Sequence, residues 1–301
     1  MKVEDIRKVL VLGAGTMGQM IAFQTALSGY EVVVYDIDEG VFEKARARME
    51  RIASSLVRQG KATREQADES IARVRMTADA AEAACDADFV SESVPEDPAL
   101  KGQVFARFNE LCPPRTVFTT NTSTLVPSQF ADQTGRPDKF AALHFHDIRT
   151  NNIVDIMPHP GTAPETVRLI EDFARSIGQT AIVLHKEWNG YVFNTMLSSW
   201  FSSALTLASN DVASPEDIDR AWMGVMNVPV GPFGVMDQVS LSTVWFILEY
   251  WASKNNDPQA KQNAQFVKQY VDKGFLGAKA GRGFYSYPGA AYRQPDFIGK
   301  K

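Results

Sequence analysis

Hydrophobic residues in the first half of the chain occur in short continuous runs, separated by segments with apolar residues at helical spacing. Residues 9–12 form one such run, which ends in glycine and predicts a strand buried on both faces. The next segment, TMGQMIAFQTALSG, stops at Gly29 and predicts a helix. YEVVVYDID then predicts a second buried strand, which ends at Asp36.

Strand–helix units continue to about residue 186. Strands are predicted within ACDADFVSESV, RTVFTTNTSTL, DKFAALHFH and QTAIVLH, and a helix closed by Gly178 within TAPETVRLIEDFARSIG. This alternation is typical of an α/β fold with a doubly wound parallel sheet, in which ligands bind at the carboxyl ends of the strands. We therefore expect the loops after Leu12, Asp36, Thr120 and Phe145 to converge on one crevice.

The second half is helical, so we place a domain boundary at residue 186 and predict domains 1–186 and 187–301. NGYVFNTMLSSWFSSALTLASN is apolar nearly all round and predicts a buried helix. In SPEDIDRAW, Ser214 is a predicted N-cap, Pro215 the first helical residue and Asp217 the capping-box acid. GPFGVMDQVSLSTVWFILEYWAS and residues 257–273 predict further helices. A domain this apolar favours a homodimer.

Composition excludes several classes of function. The net charge is -5 and the pI about 5.5, so no global basic field favours nucleic acid. No apolar run reaches membrane-span length, and the first residues lack the pattern of a secretory signal. The two cysteines, Cys85 and Cys112, lie far apart and not in metal-ligand spacing. We expect a cytoplasmic protein that binds neither nucleic acid nor membrane.

The glycines after the first strand predict a dinucleotide site. Gly13 permits a tight turn, Gly15 permits close approach of a pyrophosphate, and Gly18 permits the helix to pack on the strand. The helix start, with Thr16 and Met17, would face the phosphates with free N–H groups. A glycine turn without a ligand is the alternative.

Asp36 adds to the glycine pattern, because its carboxylate ends the second strand. A carboxylate there can accept both ribose hydroxyls and repels a 2′-phosphate, so NAD is predicted over NADP.

A basic segment follows the second strand. Its cations are Lys44, Arg46, Arg48, Arg51, Arg58, Lys61 and Arg64. Two interpretations stay open: a solvated helix face, or an arm that binds the phosphates of a nucleotide-tailed substrate.

The stretch ALHFHDIRTNNIVDI carries His144 and His146 one residue apart. A metal site, two structural histidines, or one catalytic base with a neighbour could explain them. A metal needs a further ligand, and Asp147 is too close in sequence to serve easily. We therefore predict no metal, and a structural or substrate-shaping role for His146 without part in proton transfer.

Several motifs follow one another over nearly the whole chain: GAGTMG, NTST at 121–124, LHF at 143–145, GYVFN at 190–194, SPEDIDRAW, GPFGVMD at 231–237 and GRGFYSYP at 281–288. With these motifs the chain resembles the 3-hydroxyacyl-CoA dehydrogenase family, of the short single-function 3-hydroxybutyryl-CoA dehydrogenase type. The resemblance implies a Rossmann domain, a smaller all-α dimerisation domain, and NAD-dependent oxidation of a 3-hydroxyacyl-CoA in fatty acid metabolism.

The resemblance also implies roles for individual residues. His144 matches the catalytic acid–base, Ser123 and Asn194 match residues near the substrate oxygen, and Asp155 stands for the family's glutamate partner of the histidine. Other residues match ligand contacts: Glu96 and Lys101 near the nicotinamide half of the cofactor, and Arg58 and Lys61 near coenzyme A.

The chemistry is consistent with these roles. Alcohol oxidation needs a hydride acceptor, which NAD supplies, and a base near neutral pKa, which a histidine supplies. A carboxylate on the far ring nitrogen fixes the tautomer, and hydroxyl and amide groups stabilise the reacting oxygen.

Two other functions remain open. Arg149 could bind a free carboxylate, which would suit a dehydrogenase of free 3-hydroxy acids, of the sugar-acid or carnitine type. A non-catalytic NAD-binding protein, as lens crystallin relatives are, is the other alternative. The presence of Ser123, His144 and Asn194 together argues against it, because a structural role needs none of them.

Overall fold

The computed structural model describes residues 1–299, with the side chain of Asn255 left aside. It divides into two compact units, Met1–Val192 and Phe193–Lys301. The predicted boundary, residue 186, lies within the connection between the last strand, which ends at Val183, and the first helix of the second unit, which begins at Phe193.

The first unit is built on one sheet of eight strands, in the order β3-β2-β1-β4-β5-β6-β7-β8. All neighbouring strands are parallel except β6 and β7, which are antiparallel. The strands are β1 (Lys8–Leu12), β2 (Glu31–Tyr35), β3 (Val74–Thr77), β4 (Phe89–Glu92), β5 (Val117–Thr120), β6 (Phe140–Phe145), β7 (Ile153–Pro158) and β8 (Thr180–Val183). The predicted α/β fold is confirmed, although β3 was not among the predicted strands.

Helices cover this sheet. They are α1 (Thr16–Leu27), α2 (Phe42–Arg58), α3 (Arg64–Ala72), α4 (Ala80–Ala84), α5 (Pro98–Leu111) and α6 (Pro164–Ser176). The alternating side chains of β1 enter two different cores: Val9 and Val11 pack in one cluster, and Leu10 and Leu12 in the other. Burial on both faces explains why the strand is apolar without interruption.

The second unit is all-helical, with α7 (Phe193–Ser209), α8 (Pro215–Met226), α9 (Pro232–Val239), α10 (Leu241–Asn255) and α11 (Pro258–Val271). The Ser214 side chain accepts the backbone N–H of Asp217, as the N-cap prediction requires. The predicted helical region after residue 231 is two helices, because Ser240 has a φ of 107° and separates α9 from α10.

The prediction that α7 is a buried helix is wrong for this chain. Phe201 and Leu205 are buried in the core of the unit, but Phe193, Met196 and Leu207 are exposed. The apolar side chains extend round the helix, whereas the unit's core covers one face of it.

Among the described residues, no helix combines the length and the hydrophobicity that a membrane crossing requires.

Candidate active site

The turn after β1 is closely packed around its glycines. Gly13 has a φ of 101°, and a Cβ there would lie 2.8 Å from the carbonyl oxygen of Ser93. At Gly18, a Cβ would lie 1.9 Å from the Gly13 carbonyl oxygen, so only glycine lets α1 approach the strand. Gly15, the N-cap of α1, has open space where its Cβ would project. This combination suits a pyrophosphate at the helix N-terminus, beside Thr16 and Met17.

Asp36 lies beside this turn. Its Oδ2 accepts the backbone N–H of Ala14 at 2.8 Å, and its Oδ1 accepts that of Asp38 at 3.2 Å. The carboxylate is therefore held at the edge of a cavity of about 200 Å³, which is lined by Ala14, Gly15, Gln19, Asp36, Val41, Lys44 and Arg48. The residues present fit the adenosine side of a dinucleotide, with the carboxylate placed for the ribose hydroxyls.

A chain of hydrogen bonds runs through His144 at the carboxyl end of β6. Its Nε2 lies 3.1 Å from Ser123 Oγ, and its Nδ1 lies 3.2 Å from Asp155 Oδ2. The loop after β5 carries Ser123 to His144, which lies near the carboxyl end of the neighbouring strand β6, as the sheet type predicts.

The pairing of β6 with β7 places the carboxylate. His144 and Asp155 are direct partners in the antiparallel register, so their side chains project from the same face of the sheet. Burial raises the pKa of Asp155, but hydrogen bonds from His144 and His146, together with their charges, outweigh it and hold that pKa below its usual value. Asp155 is therefore an anion at neutral pH.

His146 contacts the same carboxylate, and this contact was not predicted from the sequence. Its Nε2 lies 3.1 Å from Asp155 Oδ2. His144, His146 and Asp155 form a group whose potential ligand atoms all lie within 4.8 Å of one another. Asp155 is the third potential ligand beside the two histidines, a position that Asp147 is too close in sequence to fill easily.

Glu96 is hydrogen-bonded to the loop that carries Ser123. Its Oε1 accepts the backbone N–H groups of Ser123 and Thr124 at 3.0 and 3.1 Å and also the hydroxyls of Thr122 and Thr124. Burial raises the pKa of Glu96, but these bonds and the charge of Lys101 keep it below its usual value. The NTST motif indicated this loop in the sequence, but nothing in the sequence indicated that Glu96 would bind it.

Lys101 is fully buried. Its Nζ bonds Glu92 Oε1 at 2.8 Å and lies 3.5 Å from Glu96 Oε2. The structure thus gives the ammonium two carboxylate partners within the protein, and its predicted contact with the cofactor stays a prediction.

The predicted substrate cations lie at the end of α2 and in two loops of the first unit. Arg58 ends α2, and Lys61, in the turn before α3, donates from Nζ to the Arg149 carbonyl oxygen at 3.3 Å. The Arg149 guanidinium is paired with Asp147: Nε lies 2.8 Å from Oδ1, and Nη2 lies 2.5 Å from Oδ2. The hydrogen bond with Asp147 raises the pKa of Arg149.

Two residues of the GYVFN motif, Tyr191 and Asn194, belong to different units. Tyr191 stacks on His144, with ring centroids 4.9 Å apart, and burial raises its pKa well above the usual value. Tyr191 was not among the predicted site residues, although the GYVFN motif contains it. Asn194 lies at the second position of α7, in the second unit.

Comparison with known proteins adds to this geometry. The profile of the 3-hydroxyacyl-CoA dehydrogenase NAD binding domain matches residues 8–188, and that of the family's C-terminal domain matches residues 190–287. The chain belongs to the 3-hydroxyacyl-CoA dehydrogenase family. It is an NAD-dependent oxidoreductase of that family, and the prediction of NAD as the cofactor is confirmed.

Relatives of this dehydrogenase match most of its length. A probable 3-hydroxybutyryl-CoA dehydrogenase of Bacillus subtilis (strain 168) is 32% identical, over 94% of this chain and 98% of the relative. The solved structure of (S)-3-hydroxybutyryl-CoA dehydrogenase from Ralstonia eutropha has a TM-score of 0.84 and 28% identity, over 94% of this chain and 100% of that one. A solved diketoreductase, described as catalysing reactions of dicarbonyl compounds, has a TM-score of 0.88 and 39% identity, over 94% and 99%.

Proposed function

We propose that this dehydrogenase interconverts a 3-hydroxyacyl-CoA and the corresponding 3-oxoacyl-CoA, with His144 as the acid–base. The observation that carries the proposal is the chain from Ser123 Oγ through both ring nitrogens of His144 to Asp155 Oδ2, at 3.1 and 3.2 Å. Bound NAD supplies the hydride acceptor.

The roles of the side chains follow from this order. With Nδ1–H donated to Asp155, Nε2 presents a lone pair, which takes the proton of the substrate hydroxyl during oxidation. The ionised Asp155 then stabilises the imidazolium. In reduction the same Nε2–H returns the proton to the oxygen.

Ser123 lies on the substrate side of His144. Its hydroxyl can hydrogen-bond the substrate oxygen while that oxygen gains or loses a proton, and Asn194 is proposed to do the same. Glu96 supports this role of Ser123 through its bonds to the loop backbone.

The pairing of Arg149 with Asp147 favours a thioester substrate over a free-acid substrate. A guanidinium paired with Asp147 already has a carboxylate partner, so recruiting it for a substrate carboxylate would require breaking that pair. The cations Arg58 and Lys61 are both exposed, and they are proposed to contact the phosphates of coenzyme A.

A second candidate substrate class is a 1,3-dicarbonyl compound without coenzyme A. The 39% identity to a diketoreductase favours it. The same His144, Ser123 and Asp155 would perform that reduction, because a 3-oxoacyl thioester and a diketone present the same ketone to the acid.

One experiment tests the reaction and separates the substrates. Purified protein is assayed with NADH against acetoacetyl-CoA, free acetoacetate and a simple 1,3-diketone. We expect the highest kcat/KM for the thioester, and we expect His144→Gln to lower kcat by about 10²–10⁴-fold while NADH still binds. His185→Gln, a change of an exposed histidine, is the control. Preference for the diketone would select the second candidate, and an active His144→Gln would refute the acid–base role.

We also propose that the protein is a cytoplasmic homodimer that pairs through its second unit. Large apolar side chains are exposed on two of its helices: Val225 and Met226 on α8, and Phe246 and Tyr250 on α10. Surface of this kind is commonly covered in an oligomer. Light scattering should give twice the mass of 33.3 kDa, and Phe246→Asp should yield the monomer. A wild-type monomer would contradict the proposal.

A further inference from the structure

We propose that His146 is a positioning residue that controls proton transfer at His144 by sharing the Asp155 carboxylate. The inference rests on the proposed acid–base role of His144. It revises the expectation that His146 takes no part in proton transfer.

The geometry makes Asp155 Oδ2 a shared acceptor. His144 Nδ1 and His146 Nε2 lie 3.2 and 3.1 Å from that one oxygen. The two imidazole rings meet edge to face, with centroids 4.6 Å apart. The carboxylate therefore has two N–H donors, of which only one belongs to the proposed acid–base.

Sharing weakens the hold of Asp155 on the imidazolium of His144. A second N–H donor draws on the same oxygen, so less of its negative charge is available to His144. The two rings are also too close for both to carry a positive charge beside one carboxylate without a penalty. His146 should thus make His144 release its proton more readily.

The exposure of the three side chains supports a working role for His146. The side chains of His144 and Asp155 are 5% and 2% exposed, whereas that of His146 is 16% exposed. Solvent can exchange protons with His146 more easily than with the other two. The protonation state of the outer histidine can therefore influence the buried pair.

Other ionisable groups surround this cluster, and they belong to several elements. They are Tyr191 against the His144 ring, Glu92, Glu96 and Lys101 near β4 and α5, Asp147 and Arg149 in the loop after β6, and Glu187. Burial keeps Tyr191 neutral, and the pKa of Glu96 lies below its usual value. Asp147 and Arg149 are paired with each other. Burial raises the pKa of Glu92 in spite of its bonds with Lys101 and Thr120. The His146 variants leave all of these groups in place, so a difference from wild type reports on the change at His146.

The test compares His146→Phe and His146→Gln with wild type in both reaction directions across pH. Phenylalanine removes the N–H donor and the charge, whereas glutamine keeps an N–H donor but cannot be protonated. Once the His146 donor is removed, Asp155 holds the imidazolium of His144 more firmly. Each enzyme is normalised to its own activity at pH 7.5. After this normalisation we expect His146→Phe to be slower than wild type in oxidation at pH 6.5 and faster than wild type in reduction at pH 8.5, each by roughly threefold. His146→Gln should give a smaller change.

General damage to the fold would lower the activity without raising the normalised rate of reduction at pH 8.5 above that of wild type. His185→Phe, at an exposed position, controls for loss of a histidine elsewhere. Profiles of His146→Phe that superimpose on wild type after scaling would overturn the inference while leaving the acid–base role of His144 intact. Full activity of His144→Gln would instead remove the proposed function on which the inference rests.

A second measurement works without turnover. The chain has four histidines, so ¹⁵N-histidine labelling gives a small set of side-chain signals for the full protein. The shared carboxylate requires the proton of His144 on Nδ1 and that of His146 on Nε2. Finding the neutral His146 proton on Nδ1 would overturn the inference even if the His146 variants failed to fold.

Discussion

Glu96 accepts the backbone N–H of Ser123 at 3.0 Å, and the same Oε1 accepts three further hydrogen bonds from Thr122 and Thr124. One carboxylate oxygen thus fixes the loop that carries the serine. The orientation of Ser123 Oγ toward His144 depends on an acid 27 residues earlier in the chain.

Glu96→Ala should therefore impair turnover through Ser123. We expect a fall in kcat of roughly 10- to 100-fold, because small displacements of a catalytic group carry large rate penalties. The double variant Glu96→Ala/Ser123→Ala should be no slower than Ser123→Ala alone, since both changes remove the same interaction. Additive losses would show that Glu96 acts on the reaction by another route.

Asp155→Asn should lower kcat by about 10²–10⁴-fold, because a neutral amide does not stabilise the imidazolium of His144. Asp155→Glu keeps the charge and should retain more activity than the amide. Stopped-flow binding of NADH to each variant checks that the cofactor site is intact. Equal activity of Asp155→Asn and wild type would exclude a role for the charge.

All assays should be unaffected by EDTA. Loss of activity with EDTA would instead point to a metal at the two histidines.

Asp36→Asn should relax the discrimination against NADPH. The amide oxygen can still accept the Ala14 N–H, so the turn is preserved while the negative charge is lost. Lys44 and Arg48 line the same cavity and would then attract a 2′-phosphate. Fluorescence titration should give closer Kd values for NADH and NADPH in the variant. A wild-type enzyme that turned over NADPH faster than NADH would contradict the assignment of Asp36.

Arg58→Ala/Lys61→Ala should raise KM for the thioester about severalfold and leave kcat nearly unchanged, because remote phosphate contacts bind ground state and transition state alike. Raising the salt concentration should have a similar effect on the wild-type enzyme. Arg46→Ala, an exposed cation on α2, is the matched control. An unchanged KM would favour the interpretation of this segment as a solvated helix face.

Asp219 predicts a pH dependence of stability. Burial raises its pKa from 3.8 to about 6, against the hydrogen bonds from Phe233, Tyr285 and Gly234. A raised carboxyl pKa favours the folded state when the group is protonated, and this contribution is lost as pH rises from about 4 to 6. The loss is at most about 3 kcal/mol in the free energy of unfolding. In urea melts, Asp219→Asn should therefore be more destabilising at pH 4.5 than at pH 7.5. The opposite order would show that Asp219 is charged in the fold at low pH.

The sequence alone predicted the features that depend on residues near one another in the chain. Short apolar runs predicted most of the strands, and glycine spacing with Asp36 predicted the dinucleotide turn. The Ser214 cap was predicted in the same way. Each of these rests on local sterics or local hydrogen bonding, which neighbouring residues determine. The motifs in their order also sufficed to recognise the family.

Only the tertiary structure decided which polar groups meet. That Asp155 takes hydrogen bonds from both His144 and His146 follows from the antiparallel register of β6 and β7. That Glu96 holds the Ser123 loop follows from the adjacency of β4 and β5, and the burial of Lys101 follows from its carboxylate partners. Residue spacing does not specify strand order or register, because those depend on how the whole sheet buries its two faces. The family resemblance therefore implied His144 as the acid–base, but the sheet determined that the Asp155 carboxylate lies against both histidines.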